Sequence, residues 1–387
     1  MLVTHVELKD FRNYESLALE LVGGPTLIVG SNGQGKTNLI EALGFFSTLG
    51  SHRVSTDNAM VRQHTDAAII RVRLQHNERK FLAEVQINRA GANRAQINRS
   101  AIRTRELPRY FSSVLFAPED LALVRGEPSG RRRFIDDLLV LRSPRFRGVI
   151  ADYERVVKQR NMLLKSARAA GARDAQLSTL DVWDERLIAF GAEIISARSS
   201  LVANLSPEVS RAYEKIVGAD HDASLANSLS VISRQDDSES AVATNDVGEI
   251  ISIADATGAF TTALEAVSKQ ERDRAITLVG PHRDDLIFGL NGLPARGYAS
   301  HGESWSFALS LKLASAELLR RDSSAGDPVL ILDDVFAELD QSRRERLADS
   351  ILGFEQVLIT AAVLGDVPER LTAKVVHIRA GAVIADE

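Results

Sequence analysis

Thr26-Leu-Ile-Val-Gly-Ser-Asn-Gly-Gln-Gly-Lys-Thr37 is a short apolar, β-forming run that empties into a glycine-rich loop. Asn38-Leu-Ile-Glu-Ala-Leu-Gly-Phe-Phe46 follows with helical character. Gly30, Gly35, Lys36 and Thr37 fit G-x-x-x-x-G-K-[ST] in the strand–loop–helix context that the motif requires. The glycines let the backbone wrap tightly, so the N–H groups of Gly30, Ser31, Asn32, Gly33, Gln34 and Gly35 are expected to cradle phosphate. The positive end of the helix dipole adds to the same spot. Lys36 is expected to bridge β- and γ-phosphates, and the Thr37 hydroxyl to ligate Mg²⁺. ATP with Mg²⁺ is therefore the expected cofactor pair.

A second half of the site lies far along the chain. Val329-Leu-Ile-Leu-Asp-Asp334 is an apolar strand ending in two acids. Beside a phosphate loop, Asp333 suits the Mg²⁺ shell, and Asp334 suits orienting or deprotonating an attacking water. Ser300-His-Gly-Glu303 precedes an amphipathic helix carrying Phe307, Leu311, Ala314 and Leu318. That pattern resembles the ABC signature, in which Ser300, Gly302 and Glu303 would grip nucleotide bound to a second copy; Ser300 as a plain helix N-cap is the alternative. Val335 to Asp340 then fits a D-loop, with Asp340 near the dimer seam. The order of the motifs, one near residue 30 and the rest after residue 300, suits a head folded from both chain ends better than a transporter subunit. The long intervening stretch has no sustained heptads, so no long coiled coil is expected.

Composition agrees with a soluble globular protein. The chain has 387 residues, 44% hydrophobic and 26% charged, with no cysteine, which rules out disulfides and thiolate metal sites. No run reaches the length of a membrane span, and the cytoplasm is the expected location. Net charge is −5, yet residues 89–173 hold 19 Lys plus Arg against 8 Asp plus Glu, a local +11 that leaves −16 elsewhere. Such asymmetry fits a basic face aimed at a polyanion, or a solvated face whose arginines pair within the fold.

Alternation predicts strands over Val3–Phe11, around Leu17, Leu19 and Leu21, and over 68–74 and 80–88, with turns at Gly23-Gly24-Pro25 and His76-Asn77-Glu78. From Arg131 the period becomes helical, through Ile150, Tyr153, Val157 and Leu164, then Leu180, Trp183, Leu187, Phe190, Ile194 and Leu201. Residues 219–258 hold eight acids against one Arg and read as a surface excursion with a strand or two. A helix is expected over 259–274, strands over Ala275–Val279 and Leu286–Gly289, and a helix over Ser304–Leu319.

Longer strings narrow the class. Val6-Glu-Leu-Lys-Asp-Phe-Arg-Asn-Tyr14, Thr37-Asn-Leu-Ile-Glu-Ala42, Ser51-His-Arg53 and Phe116-Ala-Pro-Glu-Asp-Leu121 are joined by four more. These are Arg131-Arg-Arg-Phe-Ile-Asp136, Lys158-Gln-Arg-Asn-Met-Leu-Leu-Lys165, Gly280-Pro-His-Arg-Asp-Asp-Leu286 and Asp333-Asp-Val-Phe-Ala-Glu-Leu-Asp340. In this order they make the chain similar, over nearly its whole length, to the RecF family of bacterial recombination and gap-repair proteins. The resemblance implies an α/β, ABC-type (SMC-like) P-loop ATPase head assembled from 1–125 and 275–387, with a helical arm inserted at 126–274. It implies an ATP-dependent homodimer, DNA binding at single-strand gaps, slow DNA-stimulated hydrolysis, and action with RecR and RecO in loading RecA. A nucleotide-gated platform in which turnover is incidental is the alternative.

It also implies that Arg12 and Asn13 face the nucleotide base, although both equally suit a polar strand end. Arg131, Arg132 and Arg133 are candidates for DNA phosphate or for pairs within the fold. Two departures stand out. Glu303 replaces the usual glutamine of the signature, and Ile359-Thr360-Ala361-Ala362 keeps only one threonine of a threonine-rich run, leaving the γ-phosphate switch unassigned.

Overall fold

The computed structural model describes residues 1–54, 56–169, 178–232, 250–323 and 326–384. In chain order the strands and helices are β1 (Leu2–Phe11), β2 (Tyr14–Glu20), β3 (Gly24–Val29), α1 (Lys36–Thr48), β4 (Ala67–His76), β5 (Arg79–Asn88), β6 (Arg94–Ile97), β7 (Ser100–Ile102) and β8 (Ser113–Phe116). Helices α2 (Leu121–Arg125), α3 (Pro128–Arg142), α4 (Phe146–Ala169) and α5 (Ser178–Val217) follow, then β9 (Ser224–Ser228) and α6 (Ile253–Arg274). The chain continues through β10 (Asp285–Leu290), β11 (Leu293–Pro294), α7 (Ala295–Tyr298), α8 (His301–Asp322), β12 (Val329–Asp333), α9 (Gln341–Ile351), β13 (Gln356–Ala361), β14 (Val375–Arg379) and β15 (Ala382–Ile384).

Two compact units result. The first comprises residues 1–121, 211–220 and 302–387, and the second 122–210 and 221–301. In the first, an antiparallel sheet runs β2-β1-β4-β5-β6-β7, and a mostly parallel sheet runs β15-β14-β3-β13-β12-β8. The antiparallel strands alternate as period two demands: Ala68, Ile70, Val72 and Leu74 of β4 are buried. The central parallel strands are mainly apolar, since both faces are covered; every residue of β12 and of β13 is buried, Asp333, Gln356 and Thr360 included. Helix α1 is buried nearly all round, and Leu39, Ile40, Leu43 and Phe46 join both sheets in one core with Ile70, Val85, Ile331 and Leu358. Ile28 of β3 pairs with Thr360 of β13 and with Val376 of β14, so both neighbours of the loop strand come from late in the chain.

The second unit is mainly helical, with a small sheet β11-β10-β9. Tyr153, Leu187, Ile195, Phe260 and Leu264 share its core. Within the acidic 219–258 stretch, β9 pairs with β10 and buries Leu225 and Ala226, while residues 233–249 lie outside the described part. Ala275–Val279 is no strand. The Thr277 N–H donates to Asn161 Oδ1 (2.7 Å) and Leu278 N–H to Glu271 Oε1 (2.7 Å), so side chains take the donors that a ladder would have used. Glu271 is itself held by Arg160, buried between it (2.6 Å) and Asp184 (2.6 Å). No helix among the described residues is long and apolar enough to cross a membrane.

Candidate nucleotide site

The site is built at the carboxyl ends of three neighbouring parallel strands. Strand β3 runs into the loop at 30–35, β12 ends at Asp333, and β13 reaches Thr360 opposite it. Open parallel sheets place ligands at this edge.

Glycine is required at two loop positions for different reasons. Gly35 has φ of 119°, a conformation that L side chains rarely adopt, where the chain turns into α1. A Cβ at Gly30 would sit 2.3 Å from the Ile378 carbonyl oxygen, so only glycine lets β14 close against the loop. The loop is tied from outside: Tyr14 OH donates to Gly35 O (2.9 Å), Asn13 Nδ2 to Gln34 O (3.1 Å), and Ala380 N–H to Gln34 Oε1 (2.6 Å). Ser31, Asn32 and Gly33 are left exposed at its tip.

Lys36 is only 3% exposed, donates to Gly30 O (2.7 Å), and lies 3.9 Å from Asp334 Oδ2. Thr37 Oγ1 donates to Asp333 Oδ1 (3.1 Å), joining residues 296 positions apart. Thr360 Oγ1 donates to the same oxygen (2.6 Å) and accepts from the Asp334 N–H (3.0 Å). Burial, with Asp334 and Glu119 nearby, pushes the Asp333 carboxyl up to about 6 against the opposing pull of the Thr360 and Thr37 hydrogen bonds. Asp334 has φ of 50°, which turns the chain sharply out of β12. The structure thus brings Lys36, Thr37, Asp333 and Asp334 to one place. Thr360, left without a role by the sequence, ties the two acids together.

Arg12 and Asn13 stand at the same end of the first unit. Arg12 makes a bidentate pair with Glu41 (2.8 and 2.6 Å), and Asn13 accepts from Asn38 Nδ2 (2.8 Å). Glu41 is fully buried; burial would raise its carboxyl, but hydrogen bonds from Arg12 and Ser51 prevail and hold it below the ordinary value. The pairing uses much of the Arg12 guanidinium, and only tertiary contact reveals its buried acid.

Of the signature residues, Ser300 is exposed just before α8 and belongs to the second unit, whereas Gly302 and Glu303 belong to the first. The Gly302 face without a side chain lies against Arg343, where a Cβ would be 3.0 Å from Nη1. Asp340 caps α9 by accepting from Arg343 N–H (2.9 Å). Gly302 and Asp340 are therefore neighbours through one arginine, Arg343.

The three arginines at the start of α3 divide. Arg131 is buried and spends its guanidinium on Asp285 (2.7 and 2.8 Å), Gly126 O (2.9 Å) and Leu123 O (3.2 Å). Arg132 donates to Asp284 O (2.7 Å) and is half-buried. Arg133 is exposed, 3.7 Å from Asp137. Pairing within the fold accounts for the first, while the third keeps a face toward solvent.

The chain is similar to known proteins over nearly its whole length. A family model described as the RecF/RecN/SMC N terminal domain matches residues 2–371. The DNA replication and repair protein RecF of Clavibacter sepedonicus is 63% identical over 387 residues, covering 99% of this chain and 95% of that protein. RecF of Leifsonia xyli subsp. xyli is 59% identical, covering 99% of each. A solved structure of the recombination mediator protein RecF-ATPrS in the RecFOR pathway superposes with a TM-score of 0.86 at 27% identity, covering 99% of this chain and 97% of that one. An Smc head bound to the C-winged helix domain of ScpA shares the fold at a TM-score of 0.53 and 15% identity, covering 99% and 98%. The fold is that of an ABC-type, SMC-like ATPase head without a long coiled coil, and the chain belongs to the RecF family of DNA replication and repair proteins.

Proposed function

We propose that this chain hydrolyses ATP between two paired copies and uses the cycle to time its stay on DNA at single-strand gaps. The observation that carries the reading is the shared Asp333 oxygen. One buried carboxylate joins the loop threonine to the threonine of β13 and sits one residue from a second acid. Thr37 Oγ1 and the Asp333 carboxylate form an all-oxygen donor pair that suits Mg²⁺, a hard cation that keeps few protein ligands and shares the rest with phosphate and water. Bound there, the ion would neutralise charge on the β- and γ-phosphates. Lys36 holds the phosphates, and Asp334 orients the attacking water. Ser300 and Gly302 of one copy close on nucleotide held by the other, so loss of the γ-phosphate releases the pair.

The DNA part rests on kinship with RecF proteins and on the basic 89–173 stretch. Arg132 and Arg133 are the members of the arginine run with surface to offer phosphate, while Arg131 anchors α3. In this reading the first unit is an ATPase head and the second an arm, with 211–220 on the head side and 275–301 on the arm side, where the sequence expectation had them reversed. RecR and RecO are the expected partners, upstream of RecA, in the cytoplasm. Light scattering with ATP and Mg²⁺, with ADP, and with ATP plus gapped duplex tests the scheme. A dimer with ATP, strengthened by DNA, supports it; a monomer under all three conditions refutes the paired site.

A further inference from the structure

Three of the strings that single out the sequence converge on one place that the nucleotide chemistry does not use. A cleft of about 890 Å³ opens in the second unit between α3, α4, α5 and the Pro281–His282 turn. Arg132 and Arg133 come from the first string, Lys158, Met162 and Lys165 from the second, and Pro281 and His282 from the third.

Its walls are cationic. Arg132, Arg133, Arg147, Lys158, Lys165 and Arg198 face three acids, Asp136, Asp137 and Glu154. Arg198 takes both oxygens of Asp136 (2.8 Å each), which removes one cation and one anion from the balance. The buried Nε of Arg147 has no hydrogen-bond partner among the described residues, an unmet donor in the wall of an open cleft. His282 adds no charge, because burial holds its imidazole down at about 4. The lining is also apolar. Ile150 and Val157 of α4 contribute, and Met162, 53% exposed, offers a flexible thioether of the kind that peptide-binding surfaces use.

Charge and greasiness together define the ligand. A nucleic-acid single strand stacks its bases on open aromatic faces. Among the described residues of this lining, Tyr153 is the aromatic ring other than His282; it is buried and donates its hydroxyl to His282 Nδ1 (2.8 Å). The volume suits a few residues of chain, not a duplex. We propose that this cleft docks a short acidic segment of a partner protein. Its carboxylates would meet Arg147, Lys158 and Lys165, and its apolar side chains would lie on Ile150, Val157 and Met162. The inference is independent of the proposed ATP cycle.

The test uses the full chain and a fluorescein-labelled peptide of ten residues alternating Asp with Leu, read by anisotropy. A peptide with Lys in place of Asp is the control. The expected result is saturable binding of the acidic peptide alone, weakened by about tenfold or more in Lys158→Glu/Lys165→Glu and in Met162→Glu. Lys158, Lys165 and Met162 are exposed, so the variants should keep the wild-type circular dichroism and ATP affinity. Binding equal to the Lys control, or unchanged by either variant, overturns the proposal. So does displacement of the peptide by a single-stranded oligonucleotide whose own binding is lost in the double variant, which would make the cleft a nucleic-acid site.

Discussion

Asp333 Oδ1 accepts from Thr37 and from Thr360, and the Thr360 hydroxyl also receives the Asp334 N–H. Replacing Thr360 with Val keeps the shape and removes both of its bonds, one of them to a carboxylate. The expected outcome is a stability loss of about 2 kcal/mol in urea unfolding, and turnover that falls more than ATP affinity. Thr360→Ser should restore most of each, and a Val variant with wild-type turnover would remove Thr360 from the site. A second residue-scale expectation concerns two shifts of opposite sign in the second unit. Burial raises Asp284 to about 6, although Arg198 and Ser230 pull it down, and burial lowers His282 to about 4. As pH rises from about 4 to 6, the unfolded chain ionises Asp284 while the folded chain keeps it protonated, so about 3 kcal/mol from this group is lost. His282 runs the other way, its contribution being lost as pH falls through the same range, and the two largely cancel. Relative to wild type, Asp284→Asn should therefore gain stability with rising pH, and His282→Gln should lose it. Denaturant titrations across pH 4 to 6.5 read the difference directly, and a flat difference for both variants would contradict both shifts.

Among elements, the closest fit is between the phosphate loop and β14. Gly30→Ala puts a methyl 2.3 Å from the Ile378 carbonyl oxygen, where neither backbone has a rotamer to yield. The expected outcome is a destabilisation of about 2 kcal/mol with ATP affinity reduced about tenfold or more; calorimetric titration giving wild-type affinity would show that the strand gives way. Much of this architecture is legible in the sequence. Strand β3, the loop and α1 followed from a local motif, and β4 and β5 from alternation, because one of their faces is buried. The segment at 275–279 reads as a strand because Ala275, Thr277 and Val279 are buried in alternation, but its backbone donors go to Asn161 and Glu271, partners far off in sequence or on another element. Strand β8 is not legible in the sequence, because Ser113-Val-Leu-Phe116 is too short to show a period; its pairing with β12 defines it. In the site, Lys36, Thr37 and the two acids were readable from their motifs. The Glu41 grip on Arg12 and the burial of Arg131 depend on partners 29 and 154 residues away, and no spacing rule encodes them.

For the whole molecule, the proposed cycle makes the nucleotide a joint between two copies. Ser300→Arg should leave ATP binding by the monomer intact while blocking dimer formation and turnover, as read by light scattering and phosphate release. A collapse of ATP affinity instead would place Ser300 in its own copy's site. Asp334→Asn should give the converse, a dimer that persists with ATP and stays on DNA. Normal repair in cells carrying it would favour a platform in which turnover is incidental. The sheet order carries a consequence for how such a molecule is made. The phosphate-loop strand has as its two neighbours β13 and β14, which begin at Gln356 and Val375. At about 5 to 20 residues per second, a ribosome needs on the order of tens of seconds to deliver them. Through that interval β3 is an apolar strand with both edges open, the condition under which nascent chains aggregate. The ATP site is therefore among the last parts of the protein to exist, and a chain cut short before residue 356 lacks it entirely, however intact its glycine-rich motif.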